Sequence, residues 1–359
     1  MKYLFTGGGT GGHIFPALAI AHRARQIDAD AQILFVGTER GIENRVVEPQ
    51  GFSLATVEFS GFAGQSFWRK VAVLGKLVTA TRQALGILTS FQPDVVLGVG
   101  GYASLPILVA AALRRIPVVL HEQNACPGLA NRVAAHWAGR ICISMAAGGS
   151  GFGNKAVVLT GNPVRQELFN CRPWNGSVPQ LLVFGGSQGA AAVNGAMVAA
   201  LPQVLEQFPG VKIIHQTGRN QMADVVVAYN DLGIDRVEVV EFIEDMPTAY
   251  AHSQLVICRS GATTVAELAA CGRGAILIPL PQAAADHQTC NARAMVDGNA
   301  ALLLPQSELN GERLAQTIID LLHRPERLHE MGQHARHLSA KGAADLILNE
   351  CRMLVQKRK

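Results

Sequence analysis

His13 directly follows the glycine turn Gly7-Gly8-Gly9-Thr10-Gly11-Gly12 and falls in the first turn of the helix that such a turn opens. The positive end of that helix disfavours a second positive charge on the imidazole and leaves it able to accept a proton. The plainer alternative is a polar residue that starts a helix. Gly7, Gly9 and Gly12 satisfy the GxGxxG pattern, in which glycine lets backbone N–H groups approach a phosphate closely. Glu39 follows the second strand, where a dinucleotide fold places its ribose-binding acid. A nicotinamide dinucleotide is therefore one reading of this half, and a tight strand-to-helix turn the other.

A second turn, Gly185-Gly186-Ser187-Gln188-Gly189-Ala190, aligns with the first and puts Gly9 on Gly186, Thr10 on Ser187 and Gly12 on Gly189. Two such turns favour a ligand that carries a diphosphate. The stretch from Cys258 to Leu268 contains a Ser/Gly/Thr turn followed by Glu267, a carboxylate able to accept both hydroxyls of a ribose. Helix capping by Ser260 and Thr263, with Glu267 complementing the dipole, explains the same residues without a ligand. Asp286-His287-Gln288-Thr289-Cys290-Asn291 is either a cluster that reads sugar hydroxyls or a solvated loop. His121-Glu122-Gln123-Asn124 ends a very apolar strand, and Gly98-Val99-Gly100-Gly101-Tyr102 adds a third glycine turn.

Positioning these groups takes alternating strands and helices. Apolar runs at 3–6, 33–37, 95–98, 117–121 and 140–144 read as strands separated by helix-compatible segments, the pattern of a parallel sheet covered on both faces. A Pro/Asn/Gly-rich stretch follows position 161, and the pattern restarts at 181–184, 212–215, 237–240, 255–258 and 276–278. The expectation is an α/β chain of two Rossmann-like domains, 1–162 and 163–340, with a helical tail at 341–359.

Composition agrees with that size: 359 residues, 49% hydrophobic and 16% charged, suit two globular cores. A net charge of +4 with no basic-aromatic stripe argues against nucleic acid as a partner. Seven cysteines with no CxxC point away from a disulfide framework or a zinc site, and towards a reducing cytoplasm. Glycines and Pro106 interrupt the uncharged run 95–113, which reads as strand, turn and helix.

The motifs GGGTGGHIFPALAIA, PDVVLGVGGY, PVVLHEQN, GNPVR, VFGGSQGA, EFIEDM, CRSGATTVAELAACG and PLPQAAADHQTCNA run in order over nearly the whole chain. They resemble the MurG family, glycosyltransferases that move N-acetylglucosamine from UDP-GlcNAc onto lipid-linked N-acetylmuramyl-pentapeptide in bacterial cell-wall synthesis. The resemblance implies a GT-B fold, with two parallel-sheet domains facing a central cleft, and an inverting reaction with no metal and no cofactor. It gives the first domain the acceptor and the membrane, and the second UDP-GlcNAc. It places Thr10, Gly11 and Gly12 near the donor diphosphate, Arg165 and Ser187 at phosphate, and Asn124 and Gln288 at sugar hydroxyls. The backbone of Ile243 would meet the uracil. Ala262, Thr263, Thr264, Val265, Ala266 and Glu267 would line the nucleotide pocket, with Glu267 on the ribose.

His13 is the leading candidate for the base and Glu122 its rival. Gly274 departs from the resemblance, standing where these sequences generally carry proline.

The acceptor would be undecaprenyl-pyrophosphoryl-MurNAc-pentapeptide, met on the cytoplasmic face of the membrane, with other cell-wall synthesis proteins as partners. Phe67-Trp68-Arg69-Lys70 followed by Val71, Leu74, Leu77 and Val78 beside Lys76 and Arg82 suits a helix lying on an anionic membrane surface. A helix packed against its own sheet shows the same pattern. Three other functions compete: a dinucleotide oxidoreductase, a nucleotide-sugar epimerase and a binding subunit without chemistry.

Overall fold

Uncharged β-branched runs such as Val95-Val96-Leu97 and Leu255-Val256-Ile257 have no solvent face, and they form central strands buried on both sides. The computed structural model describes residues 1–8, 11–39, 41–59, 67–283 and 286–358, without the side chains of 67–74. The described chain divides into two units, Met1–Val164 with Gly342–Lys359, and Arg165–Lys341.

The first unit runs β1 (Lys2–Thr6), α1 (Gly11–Ile27), β2 (Gln32–Thr38), α2 (Glu43–Val46), β3 (Ser53–Val57), α3 (Phe67–Phe91), β4 (Val95–Gly98), α4 (Leu105–Leu113), β5 (Val118–Glu122), α5 (Leu129–Ala134), β6 (Arg140–Ile143) and β7 (Val158–Leu159). Its strands pair in parallel in the order β3-β2-β1-β4-β5-β6-β7. The two-residue period of a strand divides the core. Tyr3, Phe5, Val95 and Leu97 join Ile14 and Leu18 of α1 on one face, while Leu4, Val96 and Leu120 meet Ile107 and Leu108 of α4 on the other. The run 95–113 is strand, turn and helix as expected, and among the described residues no helix is long and apolar enough to cross a membrane.

The second unit runs β8 (Gln180–Phe184), α6 (Ala191–Gln207), β9 (Lys212–Gln216), α7 (Met222–Asp231), β10 (Val237–Val240), α8 (Met246–His252), β11 (Leu255–Cys258), α9 (Ala262–Cys271), β12 (Ala275–Leu277), α10 (His287–Asp297), β13 (Ala301–Leu303), α11 (Gly311–Leu322) and α12 (Pro325–His337). Its strands are also parallel, in the order β10-β9-β8-β11-β12-β13. Gly274 lies between α9 and β12, where a Cβ would stand 3.2 Å from Cβ of Met331, so α12 packs closely over this turn.

The last helix, α13 (Ala343–Gln356), returns to the first unit after the whole second unit has been built. Its Ile347, Leu348 and Cys351 enter the core beside α1. Arg23 Nε donates to Asp345 at 2.7 Å and Arg140 Nε to Glu350 at 2.8 Å.

One expectation is corrected here. Cys171 and Cys271, 100 positions apart in sequence, form a disulfide within the second unit. Neither lies in a recognisable pair motif; they meet because the 3-10 turn Gln166–Asn170 packs on α9.

Candidate active site

In an open parallel sheet, ligands sit beyond the carboxyl ends of the strands at the point where the strand order reverses. That point lies between β1 and β4 in the first sheet and between β8 and β11 in the second. The glycine turns follow these strands. Gly101, at φ +79°, rests on the Gly8 backbone, which leaves no room for a side chain. Gly100, at φ +90°, lies so that a Cβ would come within 3.1 Å of the His13 ring and 3.3 Å of the Asn131 amide.

His13 sits in the first turn of α1, half-buried, with Nδ1 3.0 Å from Oε1 of Gln123. The Gln123 amide is fully buried, and its nitrogen donates to the His121 carbonyl at 3.2 Å and lies 3.1 Å from His121 Nδ1. His121 Nε2 in turn faces the Gly161 carbonyl and Ser144 Oγ, both at 3.1 Å. Burial pushes the His121 imidazole down to about 4. Glu122, next along β5, is buried in a ring of donors. Its Oε1 accepts from the Asn124 backbone N–H (3.0 Å) and Asn124 Nδ2 (3.1 Å), and its Oε2 from the Gly128 N–H (3.1 Å) and Asn131 Nδ2 (2.9 Å). The acid that reaches the first glycine turn is Glu43, buried beside Gly8 and accepting from the Thr38 N–H at 2.8 Å. Glu39, the acid that the dinucleotide reading relied on, is exposed.

In the second unit, α6 starts at Ala191 after Ala190, and α9 starts at Ala262 after Gly261, neither with a side-chain cap. Helix N-termini of this kind present backbone N–H groups and the positive end of the dipole towards the sheet's carboxyl edge. Thr263 Oγ1 is buried without a hydrogen-bond partner among the described residues. One turn further along α9, Glu267 accepts from the Tyr250 hydroxyl at 3.1 Å and lies 3.8 Å from the half-exposed Arg165 guanidinium. Burial pushes its carboxyl up to about 6, with Arg165 and the Tyr250 hydrogen bond opposing the shift.

The start of α10 is tied to the turn after β11. Ser260 Oγ donates to the Gln288 carbonyl at 2.8 Å, and Asn291 Nδ2 donates to the Ser260 carbonyl at 3.1 Å. Gln288 Oε1 accepts from the Leu280 N–H at 3.0 Å. The polar cluster at 286–291 is therefore built into the edge of the site.

Residues 3–143 match the glycosyltransferase family 28 N-terminal domain and residues 180–347 the glycosyltransferase family 28 C-terminal domain. The chain belongs to glycosyltransferase family 28. A protein from Syntrophotalea carbinolica, named UDP-N-acetylglucosamine--N-acetylmuramyl-(pentapeptide) pyrophosphoryl-undecaprenol N-acetylglucosamine transferase, is 51% identical over 352 residues, 98% of each chain. One of the same name from Myxococcus xanthus is 44% identical over 98% of this chain and 92% of its own. The crystal structure of Acinetobacter baumannii MurG is similar at a TM-score of 0.80 and 32% identity, covering 99% of both chains. A UDP-GlcNAc 2-epimerase from Neisseria meningitidis, bound to UDP-GlcNAc, has a TM-score of 0.71 over 98% of this chain and all of its own, and its 13% identity shows a shared fold alone.

Within this family 28 transferase the expected residues fall into two groups. Gly11, Gly12, His13, Glu122 and Asn124 lie at the switch point of the first unit, while Thr10 lies outside the described residues. Ser187 is exposed in the turn after β8, and Ala262, Thr263, Thr264, Val265, Ala266 and Glu267 form the first turns of α9. Arg165 reaches Glu267, and Ile243 is half-buried in the loop between β10 and α8. Spacing alone misses Tyr250 and Asn131, because each meets its carboxylate only through packing, 17 and 9 residues away along the chain.

Proposed function

We propose that this transferase moves N-acetylglucosamine from UDP-GlcNAc to the C4 hydroxyl of undecaprenyl-pyrophosphoryl-MurNAc-pentapeptide with inversion. The observation that carries the reading is the switch point of the second unit, where two helix N-termini without a side-chain cap stand with the largely buried carboxylate of Glu267. Backbone N–H groups and Ser187 suit the diphosphate, and Glu267 suits a pair of ribose hydroxyls. Arg165, exposed on one side and drawn to Glu267 on the other, is placed to follow negative charge on the phosphate. The two relatives named for this reaction support the choice of sugar and acceptor.

In the proposed step the acceptor oxygen attacks the anomeric carbon. The bond from that carbon to the diphosphate oxygen breaks, its electron pair leaves with UDP, and the hydroxyl proton passes to His13. His13 is preferred to Glu122 because four donors already fill the Glu122 oxygens, while among the described residues the His13 ring is hydrogen-bonded at Nδ1 alone. Glu122 instead shapes the loop that carries Asn124. Mixing the purified chain with labelled UDP-GlcNAc and a lipid-linked muramyl acceptor tests the assignment. The expected result is label in the lipid only when acceptor is present. Release of UDP without acceptor would favour an epimerase, and donor binding without turnover a binding subunit.

Leaving-group charge is met by N–H dipoles and Arg165, an electrostatic role that needs no cation. The Asp28-Ala29-Asp30 pair sits at the other end of β1 from the glycine turn, and Asp28 accepts from the Met1 amino group at 3.1 Å. Addition of EDTA is therefore expected to leave acceptor-dependent transfer unchanged. A loss restored by magnesium or manganese would sink this part of the proposal.

A lipid-linked acceptor requires the enzyme to work at a membrane surface, on this reading the cytoplasmic face. In α3, Ala80, Ala84 and Leu88 turn into the core while Val78, 54% exposed, and the exposed Arg82 one turn on lie on the outer side. That outer strip is the proposed contact. Val78→Glu combined with Arg82→Glu is expected to weaken binding to anionic vesicles several-fold and leave donor affinity intact, as read by vesicle sedimentation and donor titration. Unchanged sedimentation would move the membrane face elsewhere.

A further inference from the structure

The polar chain behind His13 has only one consistent arrangement of hydrogens. At its far end the Gly161 carbonyl can only accept, so His121 Nε2 carries the hydrogen and donates towards it, 3.1 Å away, with Ser144 Oγ sharing that edge. A neutral imidazole protonated at Nε2 has its lone pair on Nδ1, and this nitrogen accepts from the Gln123 amide nitrogen at 3.1 Å. The His121 backbone carbonyl fixes the same orientation independently, since it can only accept and takes the other Gln123 N–H at 3.2 Å. The Gln123 oxygen is then the atom that faces His13 Nδ1 at 3.0 Å, and Nδ1 must carry the hydrogen. Two backbone carbonyls thus settle, by separate routes, which nitrogen of His13 is protonated.

We infer that Gln123 and His121 are positioning residues that hold neutral His13 as its Nδ1–H tautomer, leaving Nε2 as the atom that takes the proton. The inference rests on the reading of His13 as the base. An amide serves here only because it is held in one orientation. A free amide could equally present its NH2 group to His13 and impose the opposite tautomer, as an asparagine does when it replaces the carboxylate of a serine-histidine-aspartate triad. Here both amide hydrogens are already committed to His121, whose burial keeps it neutral and so keeps its Nδ1 an acceptor.

The clamp is also uncharged. When Nε2 accepts the hydroxyl proton, Nδ1 keeps its hydrogen on the Gln123 oxygen, and no proton moves along the chain. The proton leaves again from Nε2 to solvent or product.

The test is nitrogen NMR of the full chain labelled with 15N-histidine, with the His13 signals assigned by their loss in His13→Ala. At a pH where the ring is neutral, the expected result is a protonated Nδ1 and an unprotonated Nε2. In Gln123→Leu the His13 signals should shift towards the Nε2–H form preferred by free imidazole. Turnover should fall about 10–100-fold, a part of the general-base effect, with an unchanged donor dissociation constant.

An Nε2-protonated His13 in the wild-type chain overturns the inference, as does a Gln123→Leu spectrum identical to wild type. The spectrum of the unaltered protein decides the tautomer without any variant having to fold. It also does so whatever the kinetics of His13→Ala say about the base.

Discussion

Replacing His13 by alanine is expected to lower turnover by about 10²–10⁴-fold while the donor dissociation constant stays within about twofold, because a general base acts on the acceptor hydroxyl and not on UDP. The geometry behind this is specific. His13 lies at the start of α1, its Nδ1 is engaged by Gln123, and Gly100 leaves the ring just enough space. The measurement is the turnover rate at saturating donor and acceptor, alongside a donor titration. Retained turnover would reduce His13 to a residue that starts a helix and reopen Glu122, despite its four donors, as the base to test.

Glu267→Ala is expected to weaken UDP-GlcNAc binding by roughly 10–100-fold, since a hydrogen bond to a charged acceptor contributes about 1.5–3 kcal/mol and about 1.4 kcal/mol is a factor of ten. The same carboxylate gives donor binding a pH dependence of defined sign. Burial raises its titration to about 6, and the ribose hydroxyls need the ionised form as acceptor. Protonation therefore competes with the donor. Affinity should be constant well above pH 6 and fall, by up to about tenfold per unit, as the pH drops below it. Glu267→Gln should bind weakly and lose that dependence. Full donor affinity in a folded Glu267→Ala chain, or the same acid limb in Glu267→Gln, would contradict the ribose assignment.

The two predictions differ in what the sequence could say about them. His13 and Glu267 are both legible in the linear chain, because each lies within one turn or so of a helix start that follows a glycine-bearing strand end, a purely local arrangement. The central strands are legible for a similar reason. A strand buried on both faces must be apolar at every position, and β1, β4, β8 and β11 are read from that alone. The strands not read from sequence are β3, β7 and β13, all at the edges of their sheets. An edge strand has one neighbour and is shorter or partly solvated; β7 is two residues long, β13 three, and β3 is mostly half-exposed.

Sequence by itself therefore determined two parallel-sheet units, the turns at their switch points and the residues that stand on them. Only the tertiary structure decided what those residues touch. It filled Glu122 with donors from Asn124, Gly128 and Asn131 and brought Tyr250 to Glu267. It joined Cys171 to Cys271 and returned α13 to the first unit. It also lined up Gly161, His121, Gln123 and His13, residues from three separate segments, so that one hydrogen-bond pattern satisfies them all. The physical reason is range. Periodicity, turn chemistry and helix dipoles act over a few residues and are written in the local order of the chain. The identity of a buried polar group's partner is set by whichever donor or acceptor the packed sheet brings within 3 Å or so, however far away in sequence that partner begins.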